Sequence, residues 1–194
     1  MKIPSTGRFF GSGLFFFMTR TAILYLYMKI FYTRVCGIIL ASAYFLHYAF
    51  TPQEWHFIDN VNLIFHEAGH TIFSFFGDFI HILMGSGFQV LLPLSISGYF
   101  FYTRQRFAGA ICLMWVGQNF INVSIYAGDA IAMQLPLLGG DGVLHDWNYL
   151  LSAMGILNWT PIIATTLSAI GFMTIGLGIL LSFMFAWDER ESIL

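Results

Sequence analysis

The chain has 194 residues and a mass of 22.0 kDa, enough for one compact domain. Hydrophobic residues make up 58% of it, aromatics 19% and charged residues 9%, with a mean hydropathy of +0.74 and a formal net charge of −2. So few charges cannot cover an aqueous surface, and this balance offers no basic field to a phosphate backbone; a soluble enzyme, a disordered tail and a nucleic-acid binder are excluded, and an integral membrane protein is expected.

From the N-terminus, residues 9–28 are apolar but interrupted by Arg20, which predicts an interfacial helix or an additional span. No small-residue cleavage site follows, so this segment is not read as a signal peptide. Charged side chains are absent from 35–53, 79–103, 107–128 and 147–187. A helical crossing needs about 20 apolar residues, which predicts five spans near 30–50, 53–77, 86–103, 107–134 and 161–187. The expected architecture is an all-α, polytopic membrane helix bundle forming a single domain over 1–194. Cys36 and Cys112 lie in apolar runs, where a thiol behaves as a small hydrophobe; neither a disulfide nor a thiolate metal site is inferred.

Helix punctuation refines the boundaries. Thr51-Pro52-Gln53-Glu54 reads as an N-cap, a proline at the first helical position and a capping-box glutamate, which predicts a helix from Pro52 to Phe76 that stops at Gly77. Residues 78–87, with Gly85-Ser86-Gly87, predict a re-entrant turn. Residues 135–160 hold Gly139-Gly140-Asp141-Gly142 and then His145-Asp146-Trp147, a loop leading into a short interfacial helix capped by Asp146. Thr160-Pro161 opens the last span, and Asp188-Glu189-Arg190-Glu191 ends it in water. With five spans, Lys29/Arg34 and Arg104/Arg106 fall on opposite faces and the positive-inside rule nearly ties; the reading leans towards a cytoplasmic Lys29/Arg34 side.

The second helix carries the chemistry. Ile64-Phe65-His66-Glu67-Ala68-Gly69-His70 contains the H-E-x-x-H pattern. Histidines four apart on a helix point from one face and can share a metal ion. Glu67 lies beside them, placed to take a proton from a metal-bound water, and Gly69 removes bulk so that a helix or substrate can approach. The bland alternative is that these groups only hydrogen-bond within the bundle. Each ionisable group at the bilayer centre costs about 2.5 kcal/mol or more unless paired or hydrated, whereas a metal would compensate all three together.

A catalytic zinc site usually has three protein ligands and an open position, so a third ligand is needed. Asp129 follows Gln118, Asn122 and Ile125 at helical spacing on the fourth span. If both helices cross in parallel, His66 and His70 lie about 21–27 Å from Pro52 and Asp129 about 33 Å from Phe107, near one membrane face. The 135–147 loop emerges at that face, so His145 and Asp141 also reach the site. The Gln118/Asn122/Asp129 stripe can instead be interhelical hydrogen bonding, and Asp141 between glycines can simply shape a turn. Gln89 can line the site or satisfy the neighbouring turn.

The motif His66-Glu67-Ala68-Gly69-His70 in a membrane helix, with an aspartate in a later span, resembles the site-2-protease-type intramembrane zinc metalloproteases over roughly 52–145. In that family the third ligand is an aspartate in an Asn/Pro-rich Asp-Gly segment two helices on. Asn122 and Asp129 match it loosely, while Pro136 and Asp141-Gly142 match its wording beyond the helix. The chain has no room for the PDZ-type domain of many members. The set His66–His70, Tyr126-Ala127-Gly128-Asp129-Ala130 and His145-Asp146-Trp147-Asn148-Tyr149 is also similar to a group of small bacterial membrane proteins, which implies the inner membrane and favours Asp129 and His145 as further ligands over Asp141.

These readings make the expected protein a zinc hydrolase cleaving peptide bonds in or beside the bilayer. Glu67 is its general base, and His66, His70, Asp129 and His145 surround Zn2+. Its expected partners are membrane lipids and a membrane-protein or peptide substrate. A zinc-dependent lipid amide or ester hydrolase uses the same chemistry. A closed four-ligand site would instead indicate metal binding or transport without catalysis.

Overall fold

A computed structural model describes residues 11–136, 138 and 144–187, without the side chains of 11–21, 23, 24 and 26. The described residues are all-helical, as expected, with α1 at Gly11–Phe50, α2 at Phe57–Phe73, α3 at Asp78–Tyr102, α4 at Arg106–Gly128, α5 at Asp146–Ala153 and α6 at Thr160–Ala186. Four stretches are long and apolar enough to cross a membrane: Tyr27–Phe50, Asp78–Tyr102, Arg106–Gly128 and Leu157–Ala186. This is the architecture of an integral membrane protein.

The central pair is α4 and α6. A Cβ on Gly117 would stand 2.7 Å from the Gly171 carbonyl, and one on Gly178 would stand 3.0 Å from the Ala110 carbonyl, so the two backbones meet across small residues. Without a hydrophobic drive in lipid, such close van der Waals approach is what holds helices together. Phe45 and Tyr48 of α1 pack onto this pair with Met114, Ile121 and Ile175. At one end Arg34 donates to the Phe185 and Ala186 carbonyls at 3.3 Å each, capping the last turn of α6. The same guanidinium lies 5.2 Å from the Phe107 ring centroid, and Arg106 lies 5.7 Å from that of Phe185. Thus α1 and α4 leave this arginine end, and α3 and α6 return to it.

Several boundaries differ from the sequence expectation. The N-terminal segment is neither a separate interfacial helix nor an extra span, because α1 continues unbroken through Arg20 to Phe50. Thr51 closes α1 rather than capping α2: its hydroxyl donates to the His47 carbonyl at 2.8 Å, and its N–H turns back to His47 and Tyr48. The cap of α2 falls instead on His56, whose N–H donates to the Asp59 carboxylate at 2.7 Å. With 17 residues, α2 is about 26 Å long, short of the roughly 30 Å hydrocarbon core, so among the described residues the stretches able to span number four and not five. Both its ends lie in the half of the bundle away from the arginines. That places Arg34 and Arg106 at one end, where a five-span count separates them.

Gly85-Ser86-Gly87 is not a re-entrant turn but part of α3, which runs helical from Asp78. The fourth span ends at Gly128, not 134. Helix α5 and the Thr160-Pro161 start of α6 are as expected, with Pro161 in the first turn. Asp141 and the Asp188–Glu191 run lie outside the described residues.

Candidate metal centre

Helix α2 presents His66 and His70 from one face, with ring centroids 4.8 Å apart and Nε2 atoms 3.1 Å apart. The third member is Asp146, whose Oδ2 lies 2.9 Å from His66 Nε2 and 3.1 Å from His70 Nε2. Among the described residues, these three form the group of His, Cys, Asp and Glu able to hold a metal ion. Tetrahedral zinc with bonds of about 2.0–2.1 Å sets its ligand atoms about 3.3 Å apart, so the triangle needs to open by only a few tenths of an ångström.

The backbone around the triangle is cleared for it. A Cβ on Gly85 would fall 2.5 Å from His70 Nε2 and 2.8 Å from His66 Nε2, so only glycine leaves room for both imidazoles. One residue earlier on each helix, Gly69 lies so close to the Met84 carbonyl that no side chain fits between the helices. The expected role of Gly69 in close approach is met by α3.

Hydrogen bonding outside the triangle fixes how the imidazoles are used. His70 Nδ1 lies 2.9 Å from the His81 carbonyl, and His66 Nδ1 lies 3.3 Å from Gln89 Oε1. A carbonyl only accepts, so each Nδ1 carries its proton outward and each Nε2 lone pair faces inward. Two lone pairs and a carboxylate oxygen then converge within 3.1 Å. Three acceptors at that separation repel one another unless a cation, either a proton or a metal ion, sits among them. With a proton, carried by His70 Nε2, burial pushes the Asp146 carboxyl up, but its contacts with the two imidazoles outweigh burial and hold Asp146 below its ordinary value. The bond to Asp146 in turn raises His70 against the effect of burial.

Asp146 reaches the triangle because α5 is fastened on three sides. The Asp146 N–H donates to the Tyr126 hydroxyl at 3.1 Å, Trp147 Nε1 to Ser86 Oγ at 3.1 Å, and Asn148 Nδ2 to the Ala130 carbonyl at 2.8 Å. His145, not Asp146, is the N-cap, its Nδ1 accepting from the Asn148 N–H at 3.3 Å. The cap expected of Asp146 thus falls on His145, and the approach to the two histidines expected of His145 is made by Asp146.

Asp129 and His145, the other expected ligands, meet each other instead, Nε2 to Oδ2 at 3.3 Å. With α4 ending at Gly128, Asp129 becomes its C-cap and accepts the Gln134 and Leu135 N–H groups at 3.0 and 2.9 Å. The depth estimate that favoured Asp129 required the helix to continue. Gln118 and Asn122 do form interhelical hydrogen bonds, to Asn62 and Asp59. Gln89 lines the site. Glu67 is exposed on α2, and its charge acts on His70. The signal that sequence reading passed over was Gly85, taken for part of a turn although it stands four residues before Gln89 on the helix face that meets the histidines.

No known protein family, curated protein or solved structure matches the chain.

Proposed function

We propose that this protein is a zinc-dependent membrane hydrolase that cleaves an acyl–nitrogen bond, in the first place a peptide bond in or near the bilayer. The observation that carries the reading is the convergence of His66 Nε2, His70 Nε2 and Asp146 Oδ2, with each Nδ1 proton donated outward. Imidazole and carboxylate donors suit zinc. Three protein ligands are the usual number in catalytic sites, while closed structural sites use four. His145, the candidate fourth ligand, is engaged by Asp129 and the α5 cap, which favours catalysis over simple metal storage.

When bound, zinc would polarise the scissile carbonyl and lower the pKa of its water. The protein's own part is then divided. Glu67, adjacent to the ligand pair and exposed, accepts the water proton and passes it to the leaving nitrogen. Gly85 keeps the inner face of α3 clear. A lipid amide or ester is the second substrate class, and one observation favours it. Gly85–Gln89 is helical, so it offers no strand edge on which an unwound peptide could pair.

Orientation follows from charge. Lys29, Arg34, Arg104 and Arg106 belong to the arginine end, while 51–56, 74–77 and 129–159 contain no Lys or Arg. The positive-inside rule supports a cytoplasmic arginine end and a metal centre nearer the opposite face of a bacterial inner membrane.

The deciding experiment is metal analysis of the detergent-purified chain beside His66→Ala, with the same preparations assayed on a fluorogenic peptide and an N-acyl lipid. One zinc per chain, absent in the variant, together with wild-type hydrolysis of either probe supports the reading. Zinc retained by His66→Ala overturns it.

A further inference from the structure

The buried polar residues between α1, α2, α3 and α4 form a chain of hydrogen bonds that ends on His66. Asp59, buried in the first turn of α2, takes the His56 N–H on Oδ2 at 2.7 Å. Its Oδ1 takes the Tyr48 hydroxyl at 2.9 Å and Asn122 Nδ2 at 3.0 Å. The second proton of Asn122 Nδ2 goes to the Tyr48 oxygen at 3.1 Å. Both amide protons of Asn122 are therefore directed towards α1 and α2, and its Oδ1 must face the other way. There it accepts from Gln89 Nε2 at 2.6 Å. Gln89 has then committed its amide nitrogen to Asn122, and it turns Oε1 to His66 Nδ1 at 3.3 Å.

Each link has one allowed polarity because a carboxylate accepts and an amide nitrogen donates. Rotating either amide by half a turn would set acceptor against acceptor at one contact and donor against donor at the next. In a buried site, each unmade bond costs the full desolvation of its group. The direction imposed at Asp59 is thus carried through two side-chain amides to an imidazole on the same helix, seven residues away.

Resting on the zinc reading above, we propose that Asp59, Asn122 and Gln89 are positioning residues. They lock His66 in the tautomer with Nδ1 protonated, so that the Nε2 lone pair stands ready for the metal before it arrives. An uncommitted neutral imidazole divides its proton between the two nitrogens and must expel the wrong tautomer on binding. Outer partners of this kind are worth about 10–100-fold in metal affinity. The same Asp59 carboxylate caps α2, which ties the start of the helix to the readiness of its ligand.

The test uses the full-length, metal-free chain in detergent, labelled with 15N-histidine, and reads the ring nitrogens of His66, identified by their loss in His66→Asn. Wild type should show a protonated Nδ1 and a free Nε2. Gln89→Met, of similar bulk but without an acceptor, should move His66 towards the Nε2-protonated form and weaken zinc binding about 10–100-fold. Gln89→Glu keeps an oxygen facing Nδ1 and should keep the wild-type tautomer. Asp59→Asn, nearly isosteric, frees the amides to turn and should mix the two forms without touching His66; it gives the answer if Gln89→Met does not fold. Wild-type ring signals in both Asp59→Asn and whichever Gln89 variant lacks an acceptor overturn the proposal, whatever the zinc affinity. Ring signals that shift as stated in a protein that binds no zinc uphold the tautomer control and dismiss the zinc reading.

Discussion

His70 and His81 exchange hydrogen bonds through each other's backbone: His70 Nδ1 donates to the His81 carbonyl at 2.9 Å, and His81 Nδ1 donates to the His70 carbonyl at 2.8 Å. The pair joins the last turn of α2 to the first turn of α3 across the short connection at Gly77. Only one half of the exchange requires the His81 side chain. His81→Ala should therefore keep stoichiometric zinc, since the carbonyl that orients His70 remains. It should lose about 1 kcal/mol of stability with the other bond, seen as a lower unfolding temperature in detergent. Loss of zinc in this variant would mean that His81 is itself a ligand.

The ligand assignment separates residues that lie close in sequence. Asp146→Asn should weaken zinc binding by more than about 100-fold, beyond the usual effect of an outer partner. Asp129→Asn should leave zinc in place. It should instead cost about 1–3 kcal/mol, because two loop N–H groups and His145 lose a charged acceptor. Isothermal titration with zinc alongside thermal unfolding checks both, and the opposite pattern would restore Asp129 as the ligand.

Glu67→Gln keeps the shape of α2 and removes a proton acceptor that touches none of the three ligand atoms in the triangle. Zinc content should be unchanged, and hydrolysis of whichever probe wild type cleaves should fall by about 100-fold or more. Wild-type turnover in the variant would remove Glu67 from the mechanism.

As pH is lowered, zinc affinity should begin to fall at a higher pH than for isolated imidazoles. The hydrogen bond to Asp146 raises His70, so its proton competes with the metal from a higher pH downward. Below that raised value the apparent affinity should drop about tenfold per pH unit for each proton displaced. The effect should disappear in Asp146→Asn once its weaker binding is allowed for. A titration that stays flat on lowering the pH as far as the ordinary imidazole range would contradict the proton-filled triangle.

The four spans among the described residues begin and end at the arginine end. A reporter at the C-terminus should therefore be cytoplasmic, with green fluorescence from a fused fluorescent protein and no activity from fused alkaline phosphatase. In a chain with Cys36 and Cys112 replaced, a cysteine at Glu54 should react with an impermeant thiol reagent from outside intact cells. Labelling at Arg104 from outside would invert the orientation.

Much of the architecture was legible in the sequence because membrane insertion sums hydrophobicity along continuous stretches. The charge-free windows 79–103 and 107–128 coincide with α3 and α4, and the last expected span with α6, although the span expected from 86 begins at Asp78 and the one expected to 134 ends at Gly128. The H-E-x-x-H spacing placed His66 and His70 on one face of one helix, a local property of 3.6 residues per turn that no packing can alter. Gly69 was likewise read as a point of close approach, and the structure supplies Met84 of α3 as its neighbour.

What the sequence could not settle were choices between near-equal local alternatives. Thr51 can cap the helix after it or close the helix before it, and in the structure it closes α1 while His56 caps α2. His145 and Asp146 are adjacent residues, each able to cap α5 and each able to bind a metal. The selection was made at a distance: Tyr126 receives the Asp146 N–H, Trp147 reaches Ser86, and Asn148 reaches Ala130. These contacts set the angle at which α5 arrives, turn Asp146 inward and leave the cap and Asp129 to His145. Sequence alone determined a membrane helix bundle bearing two histidines on one helix face, because both follow from short-range periodicity and summed apolarity. Which side chain joins the two histidines was decided only in the tertiary structure, because it depends on the direction of one side chain fixed by contacts from two other helices.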